Sequence, residues 1–329
     1  MKRAITLLVL VAMLGLTFAA AAAPKMQLMV YTSMKEVLIS ELIDAFLKKN
    51  PSVRVDYYSA GAGKLMAKIA TEKQANALVC DVLWTSEVPD FYQMKAQGAL
   101  EPYISPEAKN IVSPVKDKEG YFTPARLGTL GVAYNTNKVK NPPKTWDDLL
   151  KPEFKDGFAI ANPALSGTSM VSVGMIVENL GWEYIQKLRA NGALMGQGSG
   201  QVVDDTAIGD LKACLGVDYI VINKIQGGAS LGFTYLDKML VIPSPVAILK
   251  GTKNLEAAKL WVDFMLSKEG QTIIANSFTL PIRADVPIVS GVGLVTPMEA
   301  EKRAMKLDYI KLMSEKEATI EKFTSIMTK

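Results

Sequence analysis

The chain contains no histidine and only two cysteines among its 329 residues. Without imidazole it cannot assemble a Ser-His-Asp or Cys-His catalytic arrangement, and it lacks the usual nitrogen ligand of protein metal sites. It has no Cys-x-x-Cys pair, and Gly61-Ala62-Gly63-Lys64 lacks the spacing of a phosphate-binding P-loop. Composition leaves open a hydrolase that uses only carboxylates, but no paired acids stand at convergent loop positions. We therefore predict that the protein is not an enzyme.

The sequence lacks an apolar run long enough to cross a membrane after its first residues. Lys2 and Arg3 precede an apolar run from Ile5 to Phe18, and Ala19 to Ala23 form a small-residue cleavage zone. The run is short for a membrane span, and no positive stop follows it. No cysteine lies near the cleavage zone, so a lipoprotein anchor is not expected. Residues 1–23 are therefore predicted to be a secretory signal peptide, and the mature protein is expected to be exported and soluble.

The sequence also lacks an excess of charge of either sign. Without Lys2 and Arg3, 35 basic residues oppose 33 acidic residues, so the mature chain has a net charge near +2. No cluster of Lys and Arg with interleaved aromatic residues occurs, so we expect no nucleic-acid partner. A mature chain of about 305 residues is longer than one core usually serves, which predicts two lobes.

The first part of the mature chain alternates between strand and helix patterns. Strands are predicted at 28–33, 53–59 and 79–86, and a helix from about Lys35 to Lys49 ends at Asn50-Pro51. This order is typical of a parallel open sheet with helices on both faces. Ligands of such sheets bind beyond the carboxyl ends of the strands, where loops run into helices.

Residues 145–169 contain the most informative local pattern. A brief apolar strand, Phe158 to Ala161, leads to the loop Ser166 to Ser169 and then to a long apolar run that begins at Met170. A Gly/Ser/Thr loop between a strand and a helix directs free backbone N–H groups and hydroxyls at an anion. Taken alone, such a loop is as often a simple helix N-cap.

Together with several other segments, this passage resembles the type II extracellular solute-binding proteins of ABC importers, in the branch that binds ferric iron, phosphonates and sugar phosphates. The resemblance covers nearly the whole mature chain, and its segments follow one another at family-like spacing. They are DVLWTSE (81–87), GALEPY (98–103), LGVAYNTNKV (130–139), GVDYIV (216–221), VIPSPVAILKGTKNLEAAKLWVDFMLSKEGQ (241–271) and LPIRADV (280–286).

The resemblance implies an α/β fold with two lobes, the periplasmic binding protein type II or Venus-flytrap fold, with crossover strands near 127–136 and 239–249. The expected division is lobe 1 at 24–130 plus 246–290, lobe 2 at 131–245, and C-terminal helices at 291–329 that brace the lobes. An even number of cysteines in an exported chain permits a disulfide. Because Cys80 and Cys214 fall in different lobes of this fold, we expect two buried free thiols.

The resemblance also implies the function. The protein is expected to be the extracytoplasmic component of an ABC transporter, which captures a small anionic solute, a phosphonate or a sugar phosphate, and delivers it to a cognate permease in the cytoplasmic membrane. Hinge closure around the solute is the expected mechanism. We expect a periplasmic monomer without a cofactor, or one outside the membrane of a host with a single membrane. A structural or adhesin role, a minor alternative, would show no ligand-dependent compaction.

Applied to this fold, the strand-end rule selects loops that are rich in hydroxyls and glycines. Backbone N–H groups and helix dipoles at such loops suit a phosphate or phosphonate, because they supply positive potential without a basic side chain. Each loop alone fits a satisfied helix cap, whereas the set favours binding. The candidate ligand-binding residues are Thr32, Ser33, Ser59, Ala60, Gly61, Thr85, Ser86, Ser166, Thr168, Ser169, Ser199, Asp218 and Tyr219.

Asp218 differs from the other candidates because it is a carboxylate among apolar residues. A buried charge needs a partner, since an unpaired one is expensive. Two alternatives are open at this point. Asp218 could bind sugar hydroxyls or the aminoalkyl group of a phosphonate, or it could form a salt bridge with a nearby Lys or Arg.

Ferric ion is the alternative ligand. Iron-binding relatives use paired tyrosines in the inserted lobe, but the corresponding segment here, GVDYIV, has only Tyr219. Tyr57 and Tyr58 are adjacent in a strand, so they point to opposite faces and cannot both bind one ion. Iron would have to bind Tyr219, Tyr235 and carboxylates. Otherwise no metal site is predicted.

Overall fold

The computed structural model describes residues 26–111, 113 and 115–329, so the predicted signal peptide lies outside the described residues. The described chain folds into a mixed sheet of ten strands with helices packed on it. Within these residues, every helix is too short or too polar to span a membrane.

The strands of the described chain are β1 (Met26–Thr32), β2 (Val53–Ser59), β3 (Val82–Trp84), β4 (Leu100–Glu101), β5 (Thr123–Asn135), β6 (Phe158–Ala161), β7 (Leu194–Gly196), β8 (Ala213–Val217), β9 (Leu231–Thr234) and β10 (Leu240–Leu249). The α-helices are α1 (Glu36–Lys49), α2 (Ala62–Gln74), α3 (Val88–Ala96), α4 (Gly167–Leu180), α5 (Trp182–Ala190), α6 (Ser199–Ile208), α7 (Asp218–Gln226), α8 (Leu255–Leu266), α9 (Lys268–Asn276), α10 (Pro297–Arg303), α11 (Tyr309–Ser314) and α12 (Lys316–Met327).

Two long strands join the halves of the sheet. The strand order is β2-β1-β3-β10-β5-β8-β6-β7, and β4 and β9 pair with β10 and β5 outside this path. On one side β1 pairs in parallel with β2 and β3, and on the other β6 pairs in parallel with β7 and β8. Between them β5 and β10 run antiparallel, with a register shift at Ser244/Pro245. This topology confirms the predicted two-lobed fold with two crossover strands. The residue boundaries of the lobes stay a prediction.

Helix α1 illustrates how the sequence pattern builds lobe 1. Leu38, Leu42 and Phe46 recur at helical spacing, and all three are buried. The Phe46 ring meets the Trp261 ring of α8 edge to face, with 5.2 Å between the ring centroids. Burying an aromatic ring of this size contributes about 1.5–3 kcal/mol. The cap at Asn50, before Pro51, ends α1 where the sequence predicts.

The C-terminal segment, predicted to be helical, contains the three helices α10, α11 and α12. After α10 the chain leaves the helical path because Met305 donates a backbone hydrogen bond of 2.9 Å to the Met239 carbonyl. The Asp308 side chain then accepts from the N–H groups of Ile310 and Lys311 and caps α11. Helix α11 packs against α3 of lobe 1, whereas α12 packs against α4 and α5 of lobe 2. The segment therefore contacts both lobes.

Both cysteines are buried free thiols in the structure, as expected. Cys80 precedes β3 in lobe 1 and Cys214 lies in β8 of lobe 2. Burial raises the pKa of the Cys214 thiol to about 12 and that of Cys80 well above its usual range. The thiols are therefore protonated and unreactive in the folded protein.

Candidate functional site

A cleft of about 510 Å³ lies between the two lobes. Its walls come from the loops after β1, β2 and β3 on one side and from the starts of α4, α6 and α7 on the other. The main polar lining residues are Ser33, Lys35, Tyr58, Ser59, Lys64, Ser86, Arg126, Ser166, Thr168, Gln197, Ser199, Gln201 and Tyr219.

The lobes touch one another around this cleft. The backbone N–H of Lys35 in lobe 1 donates a 2.9 Å hydrogen bond to the phenolic oxygen of Tyr219 in lobe 2. Gly61 lies so close to the Leu165 carbonyl that a β carbon at this position would overlap the oxygen atom. The structure therefore shows the closed arrangement of the two lobes.

Three hydroxyls form a triangle at one end of the cleft. The Ser166 and Thr168 oxygens lie 3.0 Å apart, and the Ser199 oxygen lies 2.7 Å from Ser166 and 3.0 Å from Thr168. Ser166 is the N-cap of α4, and Ser199 is the first residue of α6, which lacks a side-chain cap. Two helix N-termini thus meet at one group of hydroxyls, an arrangement that favours an anion.

Arg126, in the crossover strand β5, supplies a positive charge that the sequence analysis did not identify. Its side chain is 1% exposed and lines the cleft. One terminal nitrogen donates to the Thr279 hydroxyl at 2.7 Å, and the other lies 3.4 Å from the Ser86 hydroxyl. Its Nε has no hydrogen-bond partner within the part of the chain that the structure describes. One sequence feature points to Arg126: it is a basic residue among small and apolar residues, just before the predicted crossover strand 127–136.

Asp218 is paired within the protein. It is fully buried, and its carboxylate accepts hydrogen bonds from the N–H and hydroxyl of Thr129, both at 3.0 Å, and from the Thr279 hydroxyl at 2.8 Å. The guanidinium of Arg126 lies 3.5 Å away. Burial raises the pKa of Asp218, and Arg126 opposes this effect. Of the two alternatives, the structure contains the salt bridge, which Asp218 forms with Arg126, and Asp218 does not line the cleft.

The structure brings nine of the thirteen predicted residues to the cleft wall. They are Ser33, Ser59, Ala60, Gly61, Ser86, Ser166, Thr168, Ser199 and Tyr219. The others, Thr32, Thr85, Ser169 and Asp218, lie behind it. Thr32 donates to the Trp84 carbonyl, and Ser169 donates to the Ala161 carbonyl. Hydrogen bonds inside the fold thus occupy these two hydroxyls and the Asp218 carboxylate, and a ligand-binding role for the four residues stays a prediction.

Lining residues that the sequence analysis did not select include Lys35, Lys64, Gln197 and Gln201. Lys35, Lys64 and Gln201 follow a predicted residue by two or three positions, and Gln197 precedes Ser199 by two. They are long side chains of the predicted loops that line the cleft. No described residue on the cleft wall is acidic.

The tyrosines offered for iron do not form a ligand pair. The Tyr219 hydroxyl is bonded to Lys35, and burial raises the pKa of Tyr219. Tyr235 lies off the cleft wall, 2.7 Å from the Thr129 hydroxyl, and burial raises its pKa too. Among the described residues, no three acids, cysteines or histidines are grouped closely enough to hold a metal ion.

The lobes, the crossover strands and the interlobe cleft define a type II solute-binding protein, the component of ABC importers that captures the solute. Residues 26–278 match the family of bacterial extracellular solute-binding proteins, and the chain belongs to this family. The predicted class and fold are thereby confirmed.

Three relatives indicate the range of this family. A Salmonella typhimurium protein, provisionally named as a periplasmic 2-aminoethylphosphonate-binding protein, is 26% identical over 74% of this chain and 73% of its own. The periplasmic binding protein AfuA of Actinobacillus pleuropneumoniae, solved with fructose 6-phosphate, is 26% identical with a TM-score of 0.81 over 92% of this chain and 99% of its own. Iron-bound HitA of Pseudomonas aeruginosa is 23% identical with a TM-score of 0.77 over 92% and 99%, and this likeness concerns the fold alone.

Proposed function

We propose that the protein captures a small phosphorylated and hydroxyl-bearing solute, of the sugar-phosphate class, outside the cytoplasmic membrane. The observation that carries this proposal is the charge of the cleft wall. Three cationic side chains, Lys35, Lys64 and Arg126, line it without an acidic residue among the described lining residues. A site with this balance attracts anions.

The hydroxyl triangle of Ser166, Thr168 and Ser199 is the proposed phosphate site. Its hydroxyls can turn their protons towards an anion, and the N-termini of α4 and α6 add N–H groups and dipole. A charge-assisted hydrogen bond of this kind contributes about 1.5–3 kcal/mol, because the ion strengthens each bond.

An aminoalkyl phosphonate fits this cleft less well. Its ammonium group would need a carboxylate, and Asp218 is instead bonded to Thr129, Thr279 and Arg126 behind the wall. Ser33, Ser86, Gln197 and Gln201 offer neutral partners for hydroxyls. The fructose 6-phosphate bound to AfuA supports the same choice.

The proposed mechanism is closure of the lobes around the solute, followed by delivery to a cognate ABC permease. Closure is favoured because a solute between the walls bonds to both lobes only in the closed state. In this proposal the protein acts as a periplasmic monomer that binds and delivers the solute without converting it, in keeping with its solute-binding family. If the host has a single membrane, the protein acts on the extracellular face of that membrane.

Isothermal titration calorimetry with fructose 6-phosphate, fructose and 2-aminoethylphosphonate tests this proposal. Fructose 6-phosphate should bind, fructose should not bind measurably, and the aminophosphonate should bind more weakly than the sugar phosphate. Lys64→Met should weaken sugar-phosphate binding severalfold, whereas Lys73→Met, at the far end of α2 and outside the cleft, should leave it unchanged. Equal affinity for fructose and its phosphate, or tighter binding of the aminophosphonate, would contradict the proposal.

A further inference from the structure

A buried cluster of three charged groups lies beside the cleft. Glu87, before α3, and Asp90, in its first turn, each have side chains that are 2% exposed. The Lys316 ammonium, at the start of α12, lies 2.5 Å from the Asp90 carboxylate and also pairs with Glu87. The second Asp90 oxygen has no hydrogen-bond partner among the described residues.

The cluster connects the two lobes. Helix α3 belongs to lobe 1, whereas α12 lies on lobe 2, with the Lys322 ammonium 4.6 Å from the Trp182 ring centroid and Phe323 fully buried. Glu87 also touches lobe 2 directly, because a β carbon built on Gly167 would lie 2.8 Å from the Glu87 β carbon. Helix α11 ends two residues before Lys316 and packs against α3, whereas α12 packs against α4 and α5. We therefore expect opening of the cleft to bend the chain between α11 and α12, to separate Glu87 from Gly167, and to draw Lys316 away from both acids.

We propose that Lys316, Glu87 and Asp90 form an interlobe latch that holds the lobes closed even without solute, and that binding of one proton by this cluster tightens it. The latch rests on closure of the lobes and not on the identity of the solute. Two carboxylates face one ammonium, so the fully ionised cluster carries one uncompensated negative charge away from water. A proton on one carboxylate removes that charge.

The charges around Glu87 support this assignment. The pKa of Glu87 is raised to about 7, chiefly by burial and in addition by the nearby Asp90 and Glu317, while Lys316 acts in the opposite direction. The first turn of α4, Gly167 to Met170, carries no charge. The first turns of α2 and α11 carry one lysine each, Lys64 and Lys311.

The pKa of Glu87 differs between the closed and open states, and this difference sets the direction of the pH effect. In the open state Glu87 meets water, and its pKa falls back towards the ordinary value of 4.5. The closed state therefore holds the proton more tightly. The proton's contribution to closure is complete below the open-state pKa and is lost as the pH rises through the closed-state value. Between pH 6 and pH 8 the closing equilibrium should fall about tenfold.

Single-molecule fluorescence transfer on the solute-free mature protein measures this equilibrium. Dyes on Lys73→Cys in α2 and Lys187→Cys in α5, both exposed positions, report the distance between lobes. The closed fraction should be larger at pH 6 than at pH 8. Glu87→Gln should raise the closed fraction at pH 8 to its pH 6 value, because the amide is permanently neutral.

Variants of the lysine separate a latch from a general effect of charge. Lys316→Met should lower the closed fraction at both pH values, and Lys316→Arg should restore it. Lys311→Met, an exposed lysine on the neighbouring helix α11, should change nothing. Circular dichroism checks that each variant is folded. If Lys316→Met does not fold, Lys316→Arg and Glu87→Gln still test the latch. Closed fractions that match in all folded variants, or a solute-free protein that is always open, would overturn the latch.

Discussion

The backbone N–H of Lys35 donates a hydrogen bond to the phenolic oxygen of Tyr219, 2.9 Å away across the cleft and 184 positions later in the chain. The guanidinium carbon of Arg126, in a crossover strand, lies 5.1 Å from the centroid of the same ring. One phenol therefore links the first loop of lobe 1, a strand of the hinge and the start of a helix in lobe 2. Because the Lys35 bond exists only when the lobes meet, it contributes to closure and not to the fold of either lobe.

Tyr219→Phe should weaken solute binding while leaving the solute-free protein nearly as stable as before. The variant keeps the ring beneath Arg126 and removes only the interlobe hydrogen bond, which contributes about 0.5–1.5 kcal/mol. Fructose 6-phosphate affinity should fall about threefold to tenfold. Tyr134→Phe, on a part-buried tyrosine outside the cleft wall, is the matched control and should bind normally. Calorimetry that shows equal affinities for the two variants would argue against this role of the phenol.

Adjacent hydroxyls at the start of α4 should have different roles. Thr168→Val preserves the shape of the side chain and removes one corner of the hydroxyl triangle, so sugar-phosphate affinity should fall by about 1–3 kcal/mol. Ser169→Ala should leave affinity almost unchanged and lower the melting temperature, because the Ser169 hydroxyl donates to the Ala161 carbonyl inside lobe 2.

Calorimetry and thermal unfolding of both single variants distinguish these effects. Ser172→Ala is a suitable control, since its buried hydroxyl bonds to the Thr168 carbonyl one turn further along α4 and away from the cleft wall. Like Ser169→Ala, this variant should keep its sugar-phosphate affinity and have a lower melting temperature. Loss of affinity in Ser169→Ala, with Thr168→Val binding normally, would place the phosphate elsewhere.

The loops of the site follow from local sequence, because a parallel sheet places the carboxyl ends of its strands along one edge. Hydrophobic periodicity and turn residues locate those ends to within a few positions. They do not determine which of two neighbouring hydroxyls faces the cleft. Thr32 bonds inwards to the Trp84 carbonyl and Ser33 lines the wall, although they are adjacent. A difference of one residue at a strand end reverses the face.

The charges of the site depend on contacts between distant parts of the chain. Arg126 lies 92 positions from Asp218 and 153 from Thr279, yet the three form one buried network. Sequence analysis predicted that Asp218 needs a partner but could not choose between ligand and protein, because only the tertiary fold brings Arg126 to it. The latch is similarly inaccessible to sequence patterns, since Lys316 meets Asp90 from 226 positions away.

Ferric citrate added to the solute-free protein should give a colourless sample. A charge-transfer colour requires phenolate bound to iron, and Tyr219 is the one tyrosine in the family's tandem position. Burial raises the pKa of Tyr219, its hydroxyl is bonded to Lys35, and three cationic residues line the described cleft wall without an acid. A trivalent cation would thus meet three positively charged side chains and a tyrosine, Tyr219, that resists loss of its proton. Absorbance spectra with iron test ferric binding, and a rise in melting temperature on adding fructose 6-phosphate tests sugar-phosphate binding. At a hundredfold excess over Kd a bound solute stabilises the protein by about 2.7 kcal/mol, which is readily detected. A coloured complex with one iron per chain, bleached by Tyr219→Phe, would make the protein an iron carrier instead.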